Sequence, residues 1–263
     1  MKKPVKTVIA LVCGLAGSTI AWADCSVLPN QATLKTALAA AVTTETSGLN
    51  LNMWATIVDR DGIVCAVAFS GTDRGTQWPG SRLISAQKAN TANAFSLDSS
   101  AAIGSAKTGL ALSTANLYSA VQPGGSLFGL QESNPVNPDV AYAGNGGSGV
   151  NYGTALDPMV GGKIGGVNVF GGGLALYGPG RVILGAVGVS GDTSCADHRK
   201  AWLLRHNLGL DHIIGVAGVS GDSNRPDNII FDINSSGKSA GGFGQPNCTS
   251  ADGDPKTLPQ GQL

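Results

Sequence analysis

"VILGAVGVSGDTSCADHRKAWLL", residues 182–204, changes character at its middle. From Val182 to Val189 it mixes β-branched and small residues, the composition of a strand packed closely on another element. From Ala196 it mixes Ala, Trp and Leu with Asp, His, Arg and Lys, which predicts a helix within 193–210 that Gly209 ends. The join is "GVSGD". Gly188 and Gly191 let the chain turn tightly, Ser190 and Asp192 offer oxygens to the free N–H groups of the first helical turn, and Thr193 or Ser194 caps it. The stretch is therefore a strand that passes directly into a helix. "GVSGD" recurs at 218–222 but leads into "SNRPDN", which has no helical pattern. The recurrence is one turn solution used twice, with no duplicated domain around it.

Outward from this corner the same grammar repeats. Leu174 to Tyr177, the turn Gly178-Pro179-Gly180 and Val182 to Val189 predict a hairpin. In "LNMWATIVDRDGIVCAVAFSG", 51–71, the runs Ile57-Val58 and Ile63 to Val67 flank Asp61-Gly62 and predict another. "NQATLKTALAAAVTTE", 30–45, carries apolar Leu34, Ala37, Leu38 and Ala41 at helical spacing, with Asn30 as a possible N-cap. "WPGSRLISAQKANTANAFS", 78–96, predicts a second helix with a face of mostly small residues. "DHIIGVAGV", 211–219, reads as a further short strand. Between 97 and 166 the pattern breaks into Gly- and Pro-rich sequence without a period, apart from a possible helix in 107–119. Insertions of this length tend to be functional or interfacial. The order α-β-β-α-(insertion)-β-β-α predicts an α+β class: one antiparallel sheet flanked by helices, with a long irregular insertion and a Gly/Pro-rich C-terminal tail. Residues 24–263 are read as a single domain.

The chain opens "MKKPVKTVIALVCGLAGSTIAWADC". Lys2, Lys3 and Lys6, an apolar run from Val8 to Ile20, and Ala21 and Ala23 around Trp22 read as a signal peptide over 1–23, cleaved after Ala23. Its apolar core is too short to span a bilayer. Periplasmic or secreted location follows as an expectation. Cleavage removes three of the 17 basic residues and leaves 14 against 17 acidic ones, a net charge near −3. That balance gives no electrostatic reason to bind nucleic acid or anionic lipid. Cleavage also removes Cys13 and leaves Cys25, Cys65, Cys195 and Cys248, four thiols with three possible pairings. The pairing expected is Cys25–Cys65, tying the start of the first helix to a strand, with Cys195–Cys248 pinning the tail.

Several motifs invite a catalytic reading and fail on spacing. Ser190 is followed at once by Gly191, which breaks the G-x-S-x-G elbow. "DINSSGKS", 232–239, ends in Gly-Lys-Ser but has Asp232 where a phosphate loop needs its first glycine. Ser85-x-x-Lys88 with Lys107-Thr108-Gly109 resembles the penicillin-recognising pattern, yet the second element comes too early and no S-D-N lies between. The three histidines, His198, His206 and His212, form no H-x-x-x-H, and His198 and His206 differ by about 80° in azimuth on one helix. His198, in the first turn beside the glycine corner, is the one singled out.

Taken together, "VDRDG" (58–62), "SRLISAQKANTANAFS" (81–96), "GGGLALY" (171–177) and "GAVGVSGDTSCADHRKAW" (185–202) resemble the GlcG/HbpS-type haem-binding proteins, relatives of the PduO C-terminal domain. "QPGGSLFGLQ", 122–131, places the chain near the long exported subgroup. The resemblance implies a profilin-like fold, homo-oligomeric assembly, and haem or a related tetrapyrrole as ligand. Lys88, Thr91 and Phe95 match the family's helix motif beside the ligand site. Gly188, Val189, Ser190 and Gly191 match its strand–helix corner. Lys88 would pair with a propionate, Phe95 would stack on the ring, and Ser190 and His198 complete the expected cofactor-binding set. The family's haem ligation is not uniform, so no axial ligand transfers, and the matched helix contains no histidine. The expected function is an exported, non-enzymatic haem-binding protein. The alternative is an accessory or assembly protein of a periplasmic oxidoreductase system, docking through its insertion.

Overall fold

The computed structural model describes residues 24–142 and 148–263. The signal-peptide expectation, 1–23, lies outside the described residues. Helix α1 (Gln31–Thr44) begins at Asn30, whose Oδ1 accepts from the Thr33 N–H, and it buries Leu34, Leu38 and Ala41. Strands β1 (Trp54–Asp59) and β2 (Val64–Phe69) pair antiparallel across the Asp61-Gly62 turn. Asp59 Oδ1 accepts from the Asp61 and Ile63 N–H groups at 3.0 and 2.9 Å, and Gly62 takes a left-handed φ of 81°. Helix α2 (Ser81–Phe95) follows. After the insertion come β3 (Gly173–Gly178), β4 (Val182–Ser190) and helix α3 (Ser194–Asn207), which Thr193 caps by accepting from the Ala196 N–H.

The sheet order is β2-β1-β4-β3, antiparallel throughout. Register sets Trp54 opposite Ser190 and Asp59 opposite Gly185. Both faces are covered, so all six residues of β1 are buried. Alternation then sends Ala55 and Ile57 toward α1 and α3, with Leu34, Leu38 and Trp202, while Trp54 and Val58 meet Ala86, Ala89 and Ala92 of α2. The small-residue face of α2 lies almost on the sheet backbone. A Cβ added to Gly188 would sit 2.0 Å from the Ser85 carbonyl oxygen, and one on Gly173 would sit 2.4 Å from that of Lys88. The corner glycine thus serves close helix–sheet approach.

The insertion has short elements of its own. Ala102–Ile103 pairs with Ala106–Lys107, and Leu110–Ala111 pairs parallel with Ala217–Gly218. Of the strand expected in 211–219, the Ala217–Gly218 pair forms, and Asp211 adds an isolated parallel bridge to Tyr177 at the sheet edge. The helix expected in 107–119 is a correction: the chain there is extended and then turned. Leu97 and Leu110 exchange backbone hydrogen bonds of 2.8 and 2.9 Å, Gly109 between them is left-handed, and Ser113 and Asn116 bond each other instead of continuing a helix. A pairing 13 residues apart overrides local propensity.

Arg82 of α2 anchors the insertion's far end. Its Nε donates to Asp157 at 2.9 Å, its Nη2 donates to the other oxygen of Asp157, and its Nη1 donates to the Ala141 carbonyl at 3.0 Å. The Tyr152 ring covers the guanidinium at 3.9 Å. Disulfides join Cys25 to Cys65 and Cys195 to Cys248, the expected pairing. No described helix is long and apolar enough to cross a membrane.

Candidate functional site

The strand–helix corner is built on two buried ion pairs. Lys88 Nζ lies 2.6 Å from Asp197 Oδ2 and 3.2 Å from the Val189 carbonyl oxygen, with the Phe170 ring 4.2 Å away. Asp197 Oδ1 accepts from the Gly191 and Asp192 N–H groups at 3.1 and 2.9 Å. Asp192 in turn takes Lys200 Nζ at 3.1 Å and the N–H groups of Leu49 and Leu51 at 2.8 and 2.9 Å. The side chains of Lys88, Asp192 and Lys200 are wholly enclosed and that of Asp197 nearly so. Burial pushes the Asp197 carboxyl up to about 6 and the Lys88 ammonium down, against their mutual attraction. These charges hold a corner together, and no solvent reaches them.

The sequence-selected residues divide. Lys88 and Ser190 meet at the corner, where Ser190 Oγ bonds Ser81 Oγ at 3.2 Å. Thr91 is buried; its hydroxyl donates to the Gln87 carbonyl and accepts from the Asn168 N–H. Phe95 is half-buried at the end of α2. Ser85 Oγ pairs with Thr56 Oγ1 at 2.7 Å, and Lys88 with Asp197, so the serine–lysine dyad of an acylating enzyme does not form. Lys238 is exposed on a turn organised by Asn234, with no helix after it.

His198 leads away from the corner. Its ring is fully buried against Trp202, and Nε2 lies 3.3 Å from Asn228 Oδ1 and 3.2 Å from the Ile229 N–H. Its Nδ1 has no hydrogen-bond partner. Burial pushes this imidazole down to about 4 from 6.5. The unfolded ring therefore takes up a proton at higher pH than the folded one. The stability this provides is present above about pH 6.5 and is lost as pH falls toward about 4, a change of roughly 3 kcal/mol at about 1.4 kcal/mol per unit. Urea titrations between pH 7.5 and 4.5 should show this fall in the native protein and a flatter profile in His198→Gln. Parallel profiles would refute the assignment.

Asn228 and Ile229 form one wall of a cleft of about 320 Å³, completed by Ser220, Asp222, Ile230, Phe231, Asp254, Pro255 and Lys256. Ile229, Ile230 and Phe231 give it an apolar side, and Lys256 stands exposed at its rim. Sequence reasoning missed this cleft. The available signal was the second "GVSGD", whose Ser220 and Asp222 border it. The other histidines lie elsewhere: His206, 39% exposed, has Nδ1 2.7 Å from Asp211, and His212 Nδ1 is 2.6 Å from the Leu263 carbonyl oxygen.

Solved structures similar to this chain include a Klebsiella pneumoniae protein, ORFY, at 24% identity, covering 68% of this chain and 90% of that one with a TM-score of 0.42. A PduOC:heme complex matches at 21% identity over 67% and 90%, with a TM-score of 0.42. A double mutant of Streptomyces reticuli HbpS matches at 15% identity over 78% and 99%, with a TM-score of 0.41. No curated protein matches. The model of one family, described as haem degrading protein HbpS-like, matches residues 30–203, the span from the first helix through the glycine corner into α3. On that match and its four-stranded antiparallel α+β fold, the chain belongs to the HbpS-like family.

Proposed function

We propose that this protein is an exported, non-enzymatic binder of haem or a related tetrapyrrole that works as a homo-oligomer. The observation that carries the reading is the family match over 30–203, which spans the fold core. Such a ligand is a flat, largely apolar dicarboxylate. The corner does not fit it: Lys88 already pairs with Asp197, and a propionate would have to displace a buried carboxylate. The cleft beside Asn228 offers an apolar wall and one exposed cation, Lys256, alongside two carboxylates, Asp254 and the Arg225-paired Asp222. Ile229, Ile230 and Phe231 would lie along the macrocycle, and Lys256 would meet a propionate. Its 320 Å³ lies at the small end of the range for ligand pockets, roughly 300–1,000 Å³. Part of a tetrapyrrole would therefore stand outside this cleft unless a second copy of the chain covered it. When bound, haem would supply an iron centre with redox and gas-binding chemistry. The two disulfides accord with an oxidising, exported setting.

Titrating the purified protein with haemin should raise a Soret band that saturates at a fixed stoichiometry. Phe231→Ala should weaken binding roughly tenfold, the scale of an aromatic contact of about 1.4 kcal/mol. A flat difference spectrum at stoichiometric haemin counts against the whole reading. An unchanged affinity in Phe231→Ala counts against the cleft alone. If the band bleaches with ascorbate and releases iron, the protein degrades haem instead of only holding it.

One observation favours a second reading, an accessory protein of a periplasmic oxidoreductase that docks through the insertion. Phe128, Val150 and Leu156 expose 65%, 72% and 73% of their surface within it. Co-purification with an oxidoreductase, lost in Phe128→Ser/Val150→Ser/Leu156→Ser, would support that reading.

A further inference from the structure

We propose that Cys195–Cys248 is a thiol–disulfide exchange centre in which Cys248 is the sulfur attacked by partner thiols. The two disulfides sit in unlike surroundings. Cys25 and Cys65 are both partly exposed, whereas Cys195 is 1% exposed and Cys248, partly exposed, lines a cleft of about 580 Å³ with Asn247, Thr249, Ser250, Asp252 and Gly253. The case for Cys195–Cys248 therefore rests on the groups around its sulfurs. Donors converge on its sulfur: the Cys195 backbone N–H at 3.2 Å and the Ser194 hydroxyl at 3.2 Å. The Gln245 amide, on a side chain 1% exposed, reaches the two sulfurs at 3.6 and 3.9 Å. The first two belong to the opening turn of α3, a 14-residue helix whose N-terminal end favours an anion. Such surroundings stabilise a thiolate at Cys248 and so make the disulfide easier to reduce.

The opposing charge is Asp252, whose carboxylate lies within 4.8 Å of both sulfurs. That carboxylate is engaged by the N–H groups of Cys248 and Thr249 and by the Thr249 hydroxyl. Each disulfide has a carboxylate within 4.8 Å, Asp59 at Cys25–Cys65, and a carbonyl oxygen beside one sulfur, Ile63 at Cys65 (3.5 Å) and Pro246 at Cys195 (3.6 Å). Among the described residues, hydrogen-bond donors reach the sulfurs of Cys195–Cys248 alone.

The exchange balances with a dithiol as reductant. One partner thiolate bonds to Cys248 Sγ, the Sγ–Sγ bond breaks, and its electron pair leaves on Cys195 Sγ, which takes a proton. The partner's second thiol, losing its proton, then displaces Cys248 as thiolate. The partner ends as a disulfide, and this protein ends as two cysteines reduced by two electrons.

Graded dithiothreitol followed by iodoacetamide and peptide mapping tests this on the whole folded protein, with near-UV circular dichroism recording retained structure. Cys195–Cys248 should open while Cys25–Cys65 stays closed and the fold persists, and glutathione should be trapped first on Cys248. In Cys195→Ser, the Cys248 thiol should alkylate at pH 7 at least about tenfold faster than Cys65 in Cys25→Ser, the consequence of about one unit of thiol acidity. The proposal falls if Cys25–Cys65 opens first, if both open only with unfolding, or if glutathione is found on Cys195. The wild-type mapping decides the matter even where a cysteine variant does not fold.

Discussion

Lys88→Met lowers the free energy of unfolding by about 3–5 kcal/mol, read from urea titration at pH 8, because it leaves the Asp197 carboxylate buried without its cation. Typical domain stabilities of about 5–15 kcal/mol make this a large fraction of the total. Lys88→Met/Asp197→Asn restores much of the loss. Asparagine keeps an oxygen for the Gly191 and Asp192 N–H groups while removing the unpaired charge. The pH dependence gives a second signature. The folded Asp197 carboxyl protonates at about 6 and the unfolded one near 3.8, so its contribution is complete below 3.8 and is lost as pH rises through 6. Without Lys88 the folded carboxyl moves further up, and the variant is hurt more at pH 8 than at pH 5. A loss under about 1 kcal/mol at pH 8, or a double variant as weak as the sum of the singles, would show that the pair does not hold the corner.

Arg205→Ala is the other severe substitution, about 3–5 kcal/mol and a melting temperature lower by roughly 10 °C. Arg205 and Asp227 are both fully buried and meet as a two-pronged pair at 2.6 and 3.0 Å. Arg205 also donates to the Ala175 carbonyl at 3.2 Å and lies 4.5 Å from the Trp202 ring. It therefore fastens the segment leading to Asn228 and Ile229 onto α3 and the sheet, and haemin affinity should fall along with stability. Arg205→Lys keeps the charge but loses the fork, and should lie between the two. Calorimetry with haemin titration of the same samples checks both effects. Normal stability in Arg205→Ala would mean Asp227 finds another partner.

The fold was legible where chemistry is local. Asp61-Gly62, the Asn30 and Thr193 caps and the small face of α2 each announce their element within a few residues. The insertion was not, because Leu110 finds Leu97 and Ala217 as partners, and no local pattern encodes that pairing. For the site, Lys88 and His198 stood out as residues, while their environments did not. Asp197 lies 109 positions from Lys88, and Asn228 lies 30 from His198. An isolated lysine on an alanine-rich helix reads as a free cation until its distant counter-charge is seen. The cleft walls, 228–231 and 254–256, lie in a tail without periodicity, where only the repeated glycine turn gave a hint.

Arg82 fastens the insertion at Ala141 and Asp157, leaving the tip from Gly124 to Ser133 to bond chiefly within itself, as at Leu130 N to Leu127 O, 3.0 Å, and Ser133 N to Leu130 O, 3.1 Å. That tip is a permissive splice point. An epitope or fluorophore grafted there would ride on a rigid mount without loosening it, whereas a graft between 150 and 158 would prise α2 from its clasp.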